Sequence, residues 1–176
     1  MLRKRWSFLG LAVIGLAGCN QHPVSPTQPK ENVIVAGEIG SQLPDFSVED
    51  LQRRQISSAD LRGKVVLIDF WATWCKPCKQ EMPGYQKLAD LYGPRGFLVI
   101  GFKFDDMPDT EDPVQFARKI GVRYPLAVTS DGLRQKFGRI EGLPTTLLYD
   151  RQGVLRKKVI GFEYTEVIES EIKPLL

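Results

Sequence analysis

The sequence predicts an α/β fold, a central mixed β-sheet flanked by helices on both faces and preceded by a small β-hairpin. Three observations predict it. Residues 64–70 (KVVLIDF) and 97–104 (FLVIGFKF) are near-continuous apolar runs, the pattern of strands buried on both faces. A helix-length segment separates them. Two further strand-like runs, 145–149 (TTLLY) and 154–160 (VLRKKVI), flank the turn DRQG that ends at Gly153.

The first 39 residues read as something other than domain. Arg3, Lys4 and Arg5 precede an apolar run from Trp6 to Ala17. A membrane-spanning helix needs roughly 20 residues, so this shorter run reads as an export signal. It ends Leu16-Ala17-Gly18-Cys19, which resembles the lipobox of bacterial lipoproteins. That resemblance implies cleavage before Cys19 and a lipid on its sulfur. The alternative is a plain secretory signal or a retained anchor. Residues 1–18 are therefore expected to be a lipoprotein signal peptide. Residues 19–39, with Pro23, Pro26 and Pro29, are expected to be a proline-rich tether. The sole histidine, His22, lies in that tether, where solvation is its ordinary fate. The domain is expected to span 40–176, in the cell envelope outside the cytoplasm, where thiols tend to be oxidised.

Within the domain, the stretches from Phe46 (FSVED) and Arg54 (RQIS) form a hairpin with a polar turn. Residues 57–63 (SSADLRG) make a short helical turn ending in glycine. The first long strand, 64–70, leads to a helix from Cys75 to about Tyr92, with Pro83 as an expected kink. The second long strand, 97–104, follows. Asp112-Pro113 marks a helix start, with Asp as the cap and Pro in the first turn. That helix runs to about Ile120. A short strand at 125–128, a short helix at 133–137, the strand pair and a last helix from Thr165 complete the order.

The charge balance excludes one class. Beyond Arg3, Lys4 and Arg5, the remaining 21 basic and 21 acidic residues cancel, so no basic surplus points to nucleic acid. The cysteines point elsewhere. With Cys19 assigned to a lipid, Cys75 and Cys78 stand alone as C-x-x-C, just past the carboxyl end of the first long strand, where open α/β sheets place their sites. The first cysteine of such a pair meets free N–H groups and the helix dipole, which favour its thiolate. Cys75 is therefore the attacking or attacked sulfur, and Cys78 resolves the mixed disulfide. Pro77 removes one N–H and fixes φ between them. A structural zinc site wants four ligands, and this chain offers two. A static staple is disfavoured because so short a loop closes almost no chain. No cofactor beyond the redox-active Cys75–Cys78 disulfide is expected, and no metal.

Residues 71–83 (WATWCKPCKQEMP) resemble the active-site segment of the thioredoxin superfamily, and more narrowly the TlpA/ResA-like proteins of bacterial envelopes. The resemblance covers roughly 40–176. It implies a thioredoxin-like fold with the N-terminal hairpin and an inserted strand–helix unit at about 105–128. Gly142-Leu143-Pro144-Thr145 resembles the family's cis-proline loop, whose flanking peptide pairs with substrate backbone. Without the resemblance, a trans proline opening a strand is the plainer reading. Asp69 lies inside an apolar run, where an unpaired carboxylate is costly and its pKa rises. The resemblance gives it the role of taking a proton from Cys78. The alternative is an outward-facing residue at the strand's end. Lys103 is a candidate charge partner on the neighbouring strand. Trp74 is expected to form an apolar rim for a partner, with Lys76, Pro77, Leu143 and Pro144 around the site, and Trp71 to lie in the core. Glu81 matches an acid found after the motif in this group, but a solvated helix face is the plainer expectation. Lys76 departs from relatives with an acid between the cysteines. A cation there favours the thiolate, so their redox poise is not carried over.

The resulting expectation is a monomeric, membrane-tethered thiol–disulfide oxidoreductase that reduces protein disulfides. By resemblance its clients are apocytochrome c or a copper-site assembly protein, and its electrons come from a membrane thiol donor. A peroxiredoxin-type peroxidase is the alternative enzyme. It wants a threonine three residues before its cysteine, where this chain has Ala72. A Cu(I) carrier would use the two soft sulfurs, but copper-delivery relatives add a domain histidine and none follows His22.

Overall fold

The computed structural model describes residues 36–104 and 106–176, all within one compact unit. The signal segment, Cys19 and the tether with His22 lie outside the described residues. No helix among the described residues is long and apolar enough to cross a membrane.

A hairpin opens the domain, with β1 (Ser47–Glu49) antiparallel to β2 (Gln55–Ser57). Its turn is shaped by Asp50, whose Oδ1 accepts from the backbone N–H groups of Gln52 and Arg54, both at 2.8 Å. The central strand β3 (Val65–Trp71) is buried along its whole length, as its unbroken apolar run requires. Helix α1 (Lys76–Tyr92) follows, then β4 (Phe97–Lys103), α2 (Pro113–Lys119) and β5 (Leu126–Val128). The chain continues through α3 (Asp131–Lys136), β6 (Thr145–Tyr149), β7 (Leu155–Ile160) and α4 (Thr165–Ile172).

The five-stranded sheet has the order β5-β4-β3-β6-β7. β3, β4 and β5 run parallel, while β6 and β7 are antiparallel to their neighbours, so the sheet is mixed. The hairpin reaches β5 through an Asp50–Ala127 bridge, which covers that edge. β7 is the opposite, outer edge. It carries Arg156, Lys157 and Lys158, of which Arg156 pairs with Asp150 at 2.6 Å and Lys157 with Glu171 at 2.9 Å.

Alternation along the buried strands sends successive side chains to opposite faces and makes two cores. On one face Val65, Leu67 and Trp71 pack with Met82, Tyr85 and Leu88 of α1, Phe116 of α2 and Ile168 of α4. On the other, Phe70, Phe102 and Phe137 meet pairwise with ring centroids 5.5–5.7 Å apart, under Phe46 of the hairpin. Helix α1 carries Pro83 within its span. It crosses α4 closely at Gly84, where a β-carbon would overlap the Thr165 side chain.

Candidate active site

Cys75 and Cys78 form a disulfide at the start of α1, with their Cα atoms 5.4 Å apart. Cys75 is the N-cap residue, and its sulfur accepts from the Cys78 backbone N–H at 3.3 Å. Pro77 occupies the first turn, where a missing N–H costs nothing. The two sulfurs are not equivalent. Cys75 retains 4% exposure at the surface edge, while Cys78 is fully enclosed against the core that Met82 and Tyr85 complete. Lys76 is exposed beside them.

Asp69 lies on β3 between Leu67 and Trp71 on the face that α1 covers. It is opposite Gly101 on β4 and Thr146 on β6. The strand-end alternative is thereby set aside, since Asp69 is wholly buried. Neither of its oxygens has a hydrogen-bond partner among the described residues. Burial holds its carboxyl well above the usual carboxylate range.

Two expectations need correction. Lys103 does lie on the adjacent strand, but the parallel register places it opposite Trp71. Its ammonium donates to Asp109 Oδ2 at 2.9 Å and Oδ1 at 3.1 Å, and to the Phe104 carbonyl at 3.2 Å. It is not a hydrogen-bond partner of Asp69. Glu81, expected on a solvated helix face, is 1% exposed. Its pKa is raised, first by burial and then by the nearby Asp69 charge. The signal was present in the sequence. Cys78, Glu81, Tyr85, Leu88 and Tyr92 recur at steps of three and four, which is one helix stripe, and that stripe is the buried one. A second buried acid therefore accompanies Asp69 beneath the dithiol. Tyr85 next to them bonds Thr146, with 3.0 Å between the hydroxyl oxygens.

The Leu143–Pro144 peptide bond is cis. Pro144 is buried, and its carbonyl accepts from the Gly161 N–H at 2.8 Å. Trp74 and Leu143 both line a cleft of about 320 Å³, together with Phe104, Met107, Ile140 and Gly142. The structure thus brings Trp74 and Leu143 into one concavity beside the disulfide. Trp71 is core, stacked on Phe116 with centroids 5.3 Å apart.

Residues 39–158 match the AhpC/TSA family. The thioredoxin-like protein YneN of Bacillus subtilis is 32% identical over 170 residues, which is 96% of this chain and 97% of that protein. The thiol-disulfide oxidoreductase ResA of Bacillus thuringiensis is 33% identical over 139 residues, covering 78% of this chain and 79% of ResA. Among solved structures, a thioredoxin-family thiol:disulfide interchange protein from Chlorobium tepidum superposes with a TM-score of 0.70 at 26% identity, covering 80% of this chain and 99% of that one. With a C-x-x-C disulfide on a thioredoxin-like sheet, and relatives that align along most of both chains, this protein belongs to the AhpC/TSA family as a ResA-like thiol–disulfide oxidoreductase.

Proposed function

We propose that this chain is held to a bacterial membrane by a lipid on Cys19 and reduces disulfides of protein clients on the extracytoplasmic side. The observation that carries the exchange chemistry is the asymmetry of the two sulfurs. Cys75 sits at a helix N-terminus at the edge of the surface, and Cys78 is enclosed above a carboxyl that burial disposes to hold a proton. The reducing direction is supported by the resemblance to ResA.

In the reduced protein, the Cys75 thiolate attacks one client sulfur. The client S–S bond breaks, and a mixed disulfide forms. Asp69 takes the Cys78 proton as the Cys78 sulfur attacks Cys75. The client leaves with two thiols, and the protein is left with the Cys75–Cys78 disulfide. Two electrons from a membrane thiol donor restore the dithiol. The heme-binding cysteine pair of an apocytochrome c, or a copper-site assembly protein, fits as client. Leu143 and Pro144 would meet client backbone, Trp74 its apolar surface, and Lys76 and Pro77 the edge of the approach. The disulfide needs no other cofactor.

Peroxidase chemistry of the peroxiredoxin type has less support. Ala72 stands where its threonine is needed. The Thr73 hydroxyl is committed elsewhere, donating to Asp109 Oδ1 at 2.8 Å and accepting from the Thr110 N–H at 3.0 Å.

Two measurements test the proposal. Cys78→Ser should leave client proteins trapped on Cys75 as mixed disulfides, and Cys75→Ser should trap none. The potential of the pair, equilibrated against dithiothreitol, should fall near that of thioredoxin, about −270 mV. A value near about −120 mV would make the protein a disulfide donor instead.

A further inference from the structure

The cleft beside the disulfide has one wall that the C-x-x-C motif does not supply. Met107 projects from the segment 106–112, is 48% exposed, and lines the cleft with Trp74 and Leu143. This segment is fastened at two points. At one end, Arg134 Nη1 donates to Asp106 Oδ1 at 2.6 Å, while the guanidinium lies 4.5 Å over the Phe104 ring. At the other, Asp109 accepts from the buried Lys103 ammonium and from the Thr73 hydroxyl. Thr110 adds a bond from its hydroxyl to the Thr73 carbonyl at 3.0 Å. Thr73 lies two residues before Cys75, so the clamp joins the inserted segment directly to the active-site strand end.

We propose that Asp109 is a positioning residue for client recognition: by gripping Thr73 and Lys103 together, it fixes Met107 as a wall of the cleft that receives the polypeptide flanking a client disulfide. The inference rests on the reading of this protein as a reductant of protein disulfides. The occupant follows from continuity, because Trp74 adjoins Cys75 and Leu143 belongs to the cis peptide beside it. The lining is mainly apolar, with Asp106 and Glu141 also contributing to it, which suits client side chains and not a free anion. Asp109 touches neither sulfur, and its bonds to Thr73 and Lys103 do not involve the Cys75–Cys78 bond. Its contribution should therefore appear in binding of large clients and not in the chemistry itself.

The test uses the full chain in detergent with two oxidised substrates, insulin and glutathione disulfide, and dithiothreitol supplying two electrons per turnover, its uncatalysed rate subtracted. Asp109→Ala should raise KM for insulin by about tenfold while kcat, and the rate with glutathione disulfide, stay within about twofold. Met107→Ala, at an exposed position, should raise KM for insulin by about threefold. The double variant should be no worse than Asp109→Ala alone, because a released segment no longer presents Met107. Equal losses on both substrates would overturn the proposal, as would an unchanged KM for insulin in Met107→Ala. The latter outcome decides the matter even where Asp109→Ala fails to fold. Failure of the underlying reading looks different, since the unaltered protein would then reduce neither substrate.

Discussion

Asp69 and Glu81 place two carboxyls beneath one dithiol, and the pH response of the protein follows from their burial. Both have folded pKa values above their unfolded ones. The folded state therefore binds more protons than the unfolded state, and stability falls as pH rises from about 4 toward the raised folded values. The paired variant Asp69→Asn with Glu81→Gln should flatten that slope in chemical-denaturation titrations between pH 5 and pH 9 (roughly the span above ordinary carboxylate pKa values). A slope unchanged by the substitutions would contradict the assignment. Catalysis runs the other way. Asp69 must be ionised to take the Cys78 proton, so exchange should quicken as pH rises through its titration. Asp69→Asn should slow exchange about 100-fold and lose that dependence, measured by stopped-flow tryptophan fluorescence. Asp69 was legible from the sequence because a charge inside VVLIDF has nowhere to go but the interior. Glu81 was misplaced because a glutamate on a helix is usually solvated, although its spacing from Cys78 and Tyr85 shows otherwise. The partner of Lys103 was not legible, because it depends on strand register and on Asp109, whose segment has no periodic pattern.

Among the elements, α1 does most to connect chemistry with stability. Its N-terminus presents Cys75, its buried stripe carries Cys78 and Glu81, and its middle crosses α4 at Gly84. Alanine is favoured over glycine inside a helix by about 1 kcal/mol, so an open site would gain stability from Gly84→Ala. Here the added methyl meets Thr165. The substitution should instead cost about 1–3 kcal/mol and lower the melting temperature by several degrees. Pairing it with Thr165→Ala should recover much of the loss, and differential scanning calorimetry on the four proteins of this cycle would show whether it does. The long strands and the helix starts were readable because each is a local pattern, either an unbroken apolar run or a cap followed by proline. The neighbours of each strand were less so. That β5 pairs with β4 and is covered by Asp50 depends on contacts far apart in sequence.

For the whole molecule, the two cores divide the labour. The face under α1 and α4 holds Asp69, Glu81 and Cys78, and the face under the hairpin and α3 is built around the phenylalanine cluster, with Tyr149 buried among it. The proposed anchoring would be a separate property, carried by the sequence before the domain. Cys19→Ser should abolish incorporation of labelled palmitate and shift the protein out of the membrane fraction, while the purified protein keeps its exchange rate with glutathione disulfide. Retention in the membrane fraction would point to an uncleaved apolar anchor.

The outer strand β7 has one more implication. A sheet edge offers unpaired N–H and C=O groups to any passing strand, and a tethered population would hold many such edges close together. On β7, Arg156 and Lys157 are paired with Asp150 and Glu171, and the long charged side chains along the strand, Lys158 among them, make that approach less favourable. The start of the strand is already closed, since Leu155 exchanges backbone hydrogen bonds with Gly40 and Ser41, so only the remainder of this border would be left for a neighbouring copy to meet.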